Sequence, residues 1–210
     1  MKRVHAHLFS DTYEWAGQER TVPENNVMMS KQAPSVLSTG PRTLAYTYYR
    51  VRDIAPAAQA AYTALADEDH LKGLRRAKFV DRLARHWAQI NHIHSFREGN
   101  TRSQFEFFRV LCADAGWSLD TGAYRQGSLR QAFVNGRYYF QATGDHRRLA
   151  RALDVAVTTP HLDKDRSGIA VRFGLSSSQQ LPHPDVMNRA HAAHQPTVLP
   201  PPSRGPGITR

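Results

Sequence analysis

His94-Ser95-Phe96-Arg97-Glu98-Gly99-Asn100-Thr101-Arg102 is a polar, glycine-containing stretch wedged between two apolar helical patterns. Before it, Phe79, Leu83, Trp87 and Ile90 recur at helical period on one stripe, which predicts a helix from about Leu71 to Ile93. After it, Phe105, Phe108 and Cys112 share a face, predicting a helix from Thr101 to Ala115. Gly116 stands where a C-terminal glycine cap is expected. The residue types of the loop suit one kind of chemistry. Gly99 lets backbone come close to a ligand, and the N–H groups of Gly99 to Arg102 open the second helix as an anion site. Arg102, one turn in, can neutralise phosphate with its fixed fork of donors. Glu98 offers oxygen to a hard divalent cation such as Mg²⁺, which also binds substrate phosphates. His94 suits general base work near neutral pH, and Phe96 pins the loop to the core.

Outward from the loop, the pattern stays mostly helical. Residues 5 to 17 mix His, Phe, Tyr and Trp and read as a short helix and a turn ending at Gly17. Arg20-Thr21-Val22 and Val27-Met28-Met29 flank Pro23-Glu24-Asn25-Asn26 and read as a small hairpin, with loop from 31 to 43. Tyr46 to Tyr49 reads as a packed or edge strand. Helices are expected over Ile54–Ala66, Leu129–Phe140 and Arg147–Val157, so the fold class is mainly α with one small β-hairpin. Beyond Ser176 the prolines at 182, 184, 196, 200, 201, 202 and 206 predict a disordered tail. The domain division is thus 1–160 folded and 161–210 tail.

The 210 residues carry a net charge of +10, 28 Lys/Arg against 18 Asp/Glu. Such a balance favours acidic partners: nucleotides, nucleic acid, anionic lipid or an acidic protein face. The excess is spread along the chain, so nucleic acid is the weaker expectation. Cys112 is the lone cysteine, which excludes an intrachain disulfide framework, and on its apolar helix it reads as a core thiol. No apolar run is long enough to span a bilayer, and Met1-Lys2-Arg3-Val4-His5 leads into no signal-peptide core. A cytoplasmic location follows as the expectation. His86, His92 and His94 are spaced six and two apart, off the i, i+4 pattern that zinc helices use.

The loop resembles the motif of the Fic family, H-P-F-x-[DE]-G-N-[GK]-R-x-x-R, at His94, Phe96, Glu98, Gly99, Asn100 and Arg102. Upstream, Phe9, Tyr13, Trp15-Ala16-Gly17 and Arg20 resemble the segment that leads into the family's active-site flap. The resemblance covers roughly residues 5 to 155 and implies a Fic-type helical bundle that transfers AMP from ATP to a protein Ser, Thr or Tyr hydroxyl. It implies His94 as the base, Glu98 as the Mg²⁺ ligand, Gly99, Asn100 and Thr101 at the anion hole, and Arg102 on the outer phosphates. It also implies a flap at residues 20–30 that docks the target protein by strand addition.

Three positions depart from the motif. Ser95 replaces Pro, Thr101 replaces Gly or Lys, and Phe105 replaces the second Arg, which normally steadies the γ-phosphate. The Doc branch also lacks that Arg and transfers the γ-phosphate, but has Ala where this chain has Gly99. The resemblance therefore implies AMP transfer first and phosphate transfer second. A catalytically weak Fic fold, or a basic module binding protein or nucleic acid, is the alternative from another class. Many members are silenced by a Ser/Thr-x-x-x-Glu helix. No Glu follows Glu106 and no stretch fits that pattern, so the expectation is a bacterial toxin or effector held by a separate antitoxin.

Overall fold

The stripe of Phe79, Leu83, Trp87 and Ile90 is buried along its whole length in the computed structural model, which describes residues 1–23 and 28–160. In chain order the elements are α1 (Lys2–Phe9), β1 (Ser30–Pro34), β2 (Thr43–Thr47), α2 (Val51–Asp67), α3 (Arg76–Ile93), α4 (Asn100–Asp114), β3 (Ser118–Leu119), α5 (Gly127–Thr143), α6 (Arg147–Ala156) and β4 (Val157–Thr158). The mainly α class holds.

Helix α3 is the hub. Its Trp87 lies stacked 4.3 Å from Phe108 of α4 and edge-on 5.2 Å from Phe133 of α5. The indole N–H donates to Gln104 Oε1 at 3.1 Å, so a buried polar atom on each helix is satisfied. α6 buries Leu149, Ala152, Leu153 and Ala156 at helical spacing and packs so close to α5 that a Cβ on Gly136 would lie 2.7 Å from Leu149 Cα. α4 ends in a Schellman cap: Gly116 is at φ +84, and the Trp117 and Gly116 N–H groups reach back to Cys112 and Ala113.

Two expectations are corrected. Among the described residues of the expected 20–30 hairpin, only Ser30 is strand. β1 pairs antiparallel with β2 in the register Ser30↔Thr47 to Pro34↔Thr43, so much of the expected 31–43 loop is strand or turn. Its position is set by tertiary contact, because buried Tyr46 lies 4.1 Å from Tyr138 of α5 and bonds the Pro34 carbonyl. Helix α3 begins at Arg76, later than Leu71, because Asp69, His70 and Leu71 all take positive φ in a tight turn that buries Leu71. The sequence-based tail, from about 176, lies outside the described residues. Among those described, no helix is long and apolar enough to cross a membrane.

Candidate active site

His94 is the residue at which α3 stops. It takes a left-handed conformation (φ 53, ψ 59), unusual for a side chain with a Cβ. Arg20 holds it there. The Arg20 guanidinium donates from Nε to the His94 carbonyl at 2.9 Å and from Nη1 to the Val22 carbonyl at 3.0 Å. Its Nη2 donates to the Tyr49 carbonyl, and its backbone N–H bonds Ser95 O at 2.8 Å. The His94 ring stacks 4.0 Å from Tyr48, and its Nδ1 is buried with no hydrogen-bond partner. Burial, with the charges of Arg20, Arg137 and Lys31 adding to it, pushes the imidazole down to about 3. At neutral pH it is uncharged, with a ring nitrogen free to take a proton.

The loop is closed by three further contacts. Asn100 staples it: its Oδ1 accepts from Phe96 N–H at 2.9 Å and its Nδ2 donates to Phe96 O at 2.6 Å. Phe96 is fully buried and stacks 4.0 Å from His5. Because Gly17 N–H donates to His5 Nδ1 at 2.9 Å, the His5 proton sits on Nε2, where it bonds the Glu98 carbonyl at 3.0 Å. Gly99 lies at φ +77, and a Cβ there would lie 2.6 Å from the Phe9 ring. The glycine at 99 is thus required by α1, whatever a ligand asks of it.

Helix α4 opens without a side-chain cap. Its first intrahelical bond runs from Ser103 N–H to Gly99 O, which leaves the N–H groups of Asn100, Thr101 and Arg102 without intrahelical partners. Arg102 is exposed, with its guanidinium 4.4 Å above the Phe9 ring. Thr101 is also exposed, and its Oγ1 accepts from Arg137 of α5 at 3.4 Å. Glu98 is exposed, and its Oε1 accepts from Gly99 N–H at 3.0 Å. One carboxylate suits Mg²⁺, which keeps several waters and takes phosphate oxygens as further ligands.

The structure thus gathers His94, Glu98, Gly99, Asn100, Thr101 and Arg102 on one loop and helix start. It differs from the expectation in detail: the Asn100 side chain is spent on the loop, leaving its backbone N–H for a ligand. Sequence reasoning placed Arg20 only in the segment leading to the flap and Tyr48 only in a strand, and gave no site role to either, nor to His5 or Arg137. Phe105 turns away from the loop into an aromatic cluster, 5.2 Å from Phe133, 5.4 Å from Trp87 and 5.5 Å from Tyr124.

Comparison with known proteins identifies a family and a shared fold. The model of the Fic/DOC family matches residues 1–112. Protein adenylyltransferase VbhT of Bartonella schoenbuchensis is 30% identical over 138 residues, 66% of this chain and 25% of that protein. "Probable protein adenylyltransferase Fic" of Escherichia coli is 30% identical over 136 residues, 65% of this chain and 60% of that protein. The chain therefore matches only a quarter of the first relative's length and three-fifths of the second's. Among solved structures, BepC of Bartonella tribocorum with bound AMPPNP superposes with a TM-score of 0.59 at 19% identity, covering 76% of this chain and 73% of that one.

Proposed function

The chain belongs to the Fic/DOC family, and we propose that it is a protein adenylyltransferase that moves AMP from ATP to a Ser, Thr or Tyr hydroxyl of a target protein. The observation that carries the proposal is His94, held in place by Arg20 and kept neutral by burial, one loop away from the uncapped N-terminus of α4. The names of VbhT and the Escherichia coli relative support it.

His94 takes the proton of the target hydroxyl as its oxygen attacks the α-phosphorus of ATP. The bond from the α-phosphorus to the bridging oxygen breaks, and pyrophosphate leaves. The negative charge of the triphosphate raises the His94 pKa from its low value, bringing the base nearer the working range. The N–H groups at the start of α4 hold the α-phosphate, and Arg102 leaves Phe9 to bind the outer phosphates. Glu98 would hold Mg²⁺, whose chemistry is to neutralise the phosphate oxygens. Arg20, His5 and Asn100 keep the loop in its left-handed start so that His94 is already placed.

The docking surface moves with the hairpin. β2 faces α5 through Tyr46, and β1 is mostly exposed, so a target segment adds as a third strand beside Ser30–Pro34. On this reading unregulated expression is toxic, and the protein acts as a toxin or effector restrained by a separate antitoxin.

Phosphate transfer is the second reading, favoured by Phe105, whose ring packs against the aromatic cluster and offers no charge to a γ-phosphate. Parallel reactions with α-labelled and γ-labelled ATP separate the two. The expected result is protein label from the α position alone. His94→Ala should lower it by a factor of about 10² or more while ATP still binds. Label from the γ position alone overturns AMP transfer.

A further inference from the structure

Arg137 is a half-buried arginine with no acid partner among the described residues. It projects from α5, donates from Nη1 to Asn91 Oδ1 at 3.0 Å and to Thr101 Oγ1 at 3.4 Å, and lies 4.7 Å above the Phe133 ring. Its Nε is buried with no partner. Among the described residues it makes no ion pair, whereas seven other Lys and Arg side chains do. A guanidinium removed from water without a counter-charge is costly unless an anion joins it. Burial accordingly pulls it down to about 10.

Its position names the anion. Thr101 stands on the first turn of α4, beside the N–H groups that no carbonyl accepts. Residues 101 and 105 share a helix face, and helical side chains lean toward the N-terminus, so a long side chain at 105 would reach over Thr101. Phe105 does not make that reach. It stacks on Phe133, and the same ring supports Arg137. We propose that Arg137 is a phosphate-binding residue of the nucleotide site, supplying from α5 the charge that α4 lacks at position 105 and taking the outer phosphates of a nucleoside triphosphate. This rests on the nucleotide-binding half of the proposed function.

A merely structural Arg137, bracing Asn91 of α3 to Thr101 of α4, would treat all nucleotides alike. The test is a calorimetric titration of the full chain with ATP and AMP, for wild type, Arg137→Gln and Arg137→Lys, beside the melting temperature of each unliganded protein. In Arg137→Gln, ATP affinity should fall by about 10- to 150-fold, as for loss of a charge-assisted hydrogen bond, with AMP affinity unchanged. Arg137→Lys keeps the charge without the fork, so it should fold like wild type and lose less. ATP and AMP weakened equally, or ATP affinity unchanged in either folded variant, overturns the assignment. A wild-type chain that binds ATP but transfers no label overturns AMP transfer and leaves the Arg137 comparison standing.

Discussion

Arg20 grips three backbone carbonyls, those of His94, Val22 and Tyr49, and among the described residues no carboxylate. It thereby joins the end of α3 to the strand side of the molecule and fixes the left-handed turn at His94. Arg20→Met keeps much of the apolar stem and removes the fork. It leaves carbonyls unpaired beside the loop, at about 1 to 3 kcal/mol for each one that stays buried. The expected outcome is a lower denaturation midpoint, together with a fall in transfer rate larger than any rise in KM for ATP, because His94 is no longer held. Unchanged kcat in a folded Arg20→Met would show that the loop holds itself. None of this was legible from the sequence. The His94 partner lies 74 positions away and the Tyr49 partner 29, and a backbone carbonyl carries no residue signature. His5 was hidden for the same reason, its acceptor being the Glu98 carbonyl. The loop residues themselves were legible because their chemistry is packed into nine positions. The reason for Gly99 was not, since its steric limit is Phe9, far up the chain.

At the scale of elements, α3 and α4 were readable because each buries one stripe at helical period. β1 was not. Its Ser-Lys-Gln-Ala-Pro run is mostly exposed and shows no alternation, so pairing with β2 is decided by Tyr46 against α5. The orientation of Phe105 is the consequential case. The sequence places it at a motif position facing a ligand, whereas three aromatic rings hold it, half-buried, against the core. Its ring packs on Phe133, Trp87 and Tyr124 and not on the loop. Phe105→Arg should therefore destabilise the protein by about 3 kcal/mol or more, the cost of losing a packed phenyl ring, with no gain in ATP affinity. Denaturant melts and a nucleotide titration check both. A stable variant with tighter ATP binding would show that this face of α4 does reach the nucleotide, and would remove the need for Arg137.

Across the whole molecule, the charge of +10 was legible as a total but not as a place. Folding brings Arg20, Arg137 and Lys31 close enough to depress His94, and sets Arg102 at the same loop without an acid partner among the described residues. Four histidines share the depression: His5, His86, His92 and His94 all lie below the usual histidine range, each chiefly through burial. The sign follows from linkage. Each takes up its proton near pH 6.5 when unfolded but only at lower pH when folded, so below pH 6.5 the unfolded chain binds more protons and stability falls with pH. The carboxylates that folding depresses, Glu68 and Asp145, are ionised in both states above about pH 5.5 and cannot mask the effect there. The half-buried Met1 amine, also pulled below its usual value, starts the fall near pH 8, so the melting temperature of the unliganded protein should decline from pH 8 to 5.5, more steeply below about pH 7 as the histidines join. The His94 imidazole resonance should keep its neutral shift throughout. Saturating ATP should blunt the decline, because triphosphate charge beside His94 raises its folded pKa toward the unfolded value. A melting temperature that stays level or rises between pH 7 and 5.5 would mean that these histidines are hydrated in solution, and with them the loop that places His94.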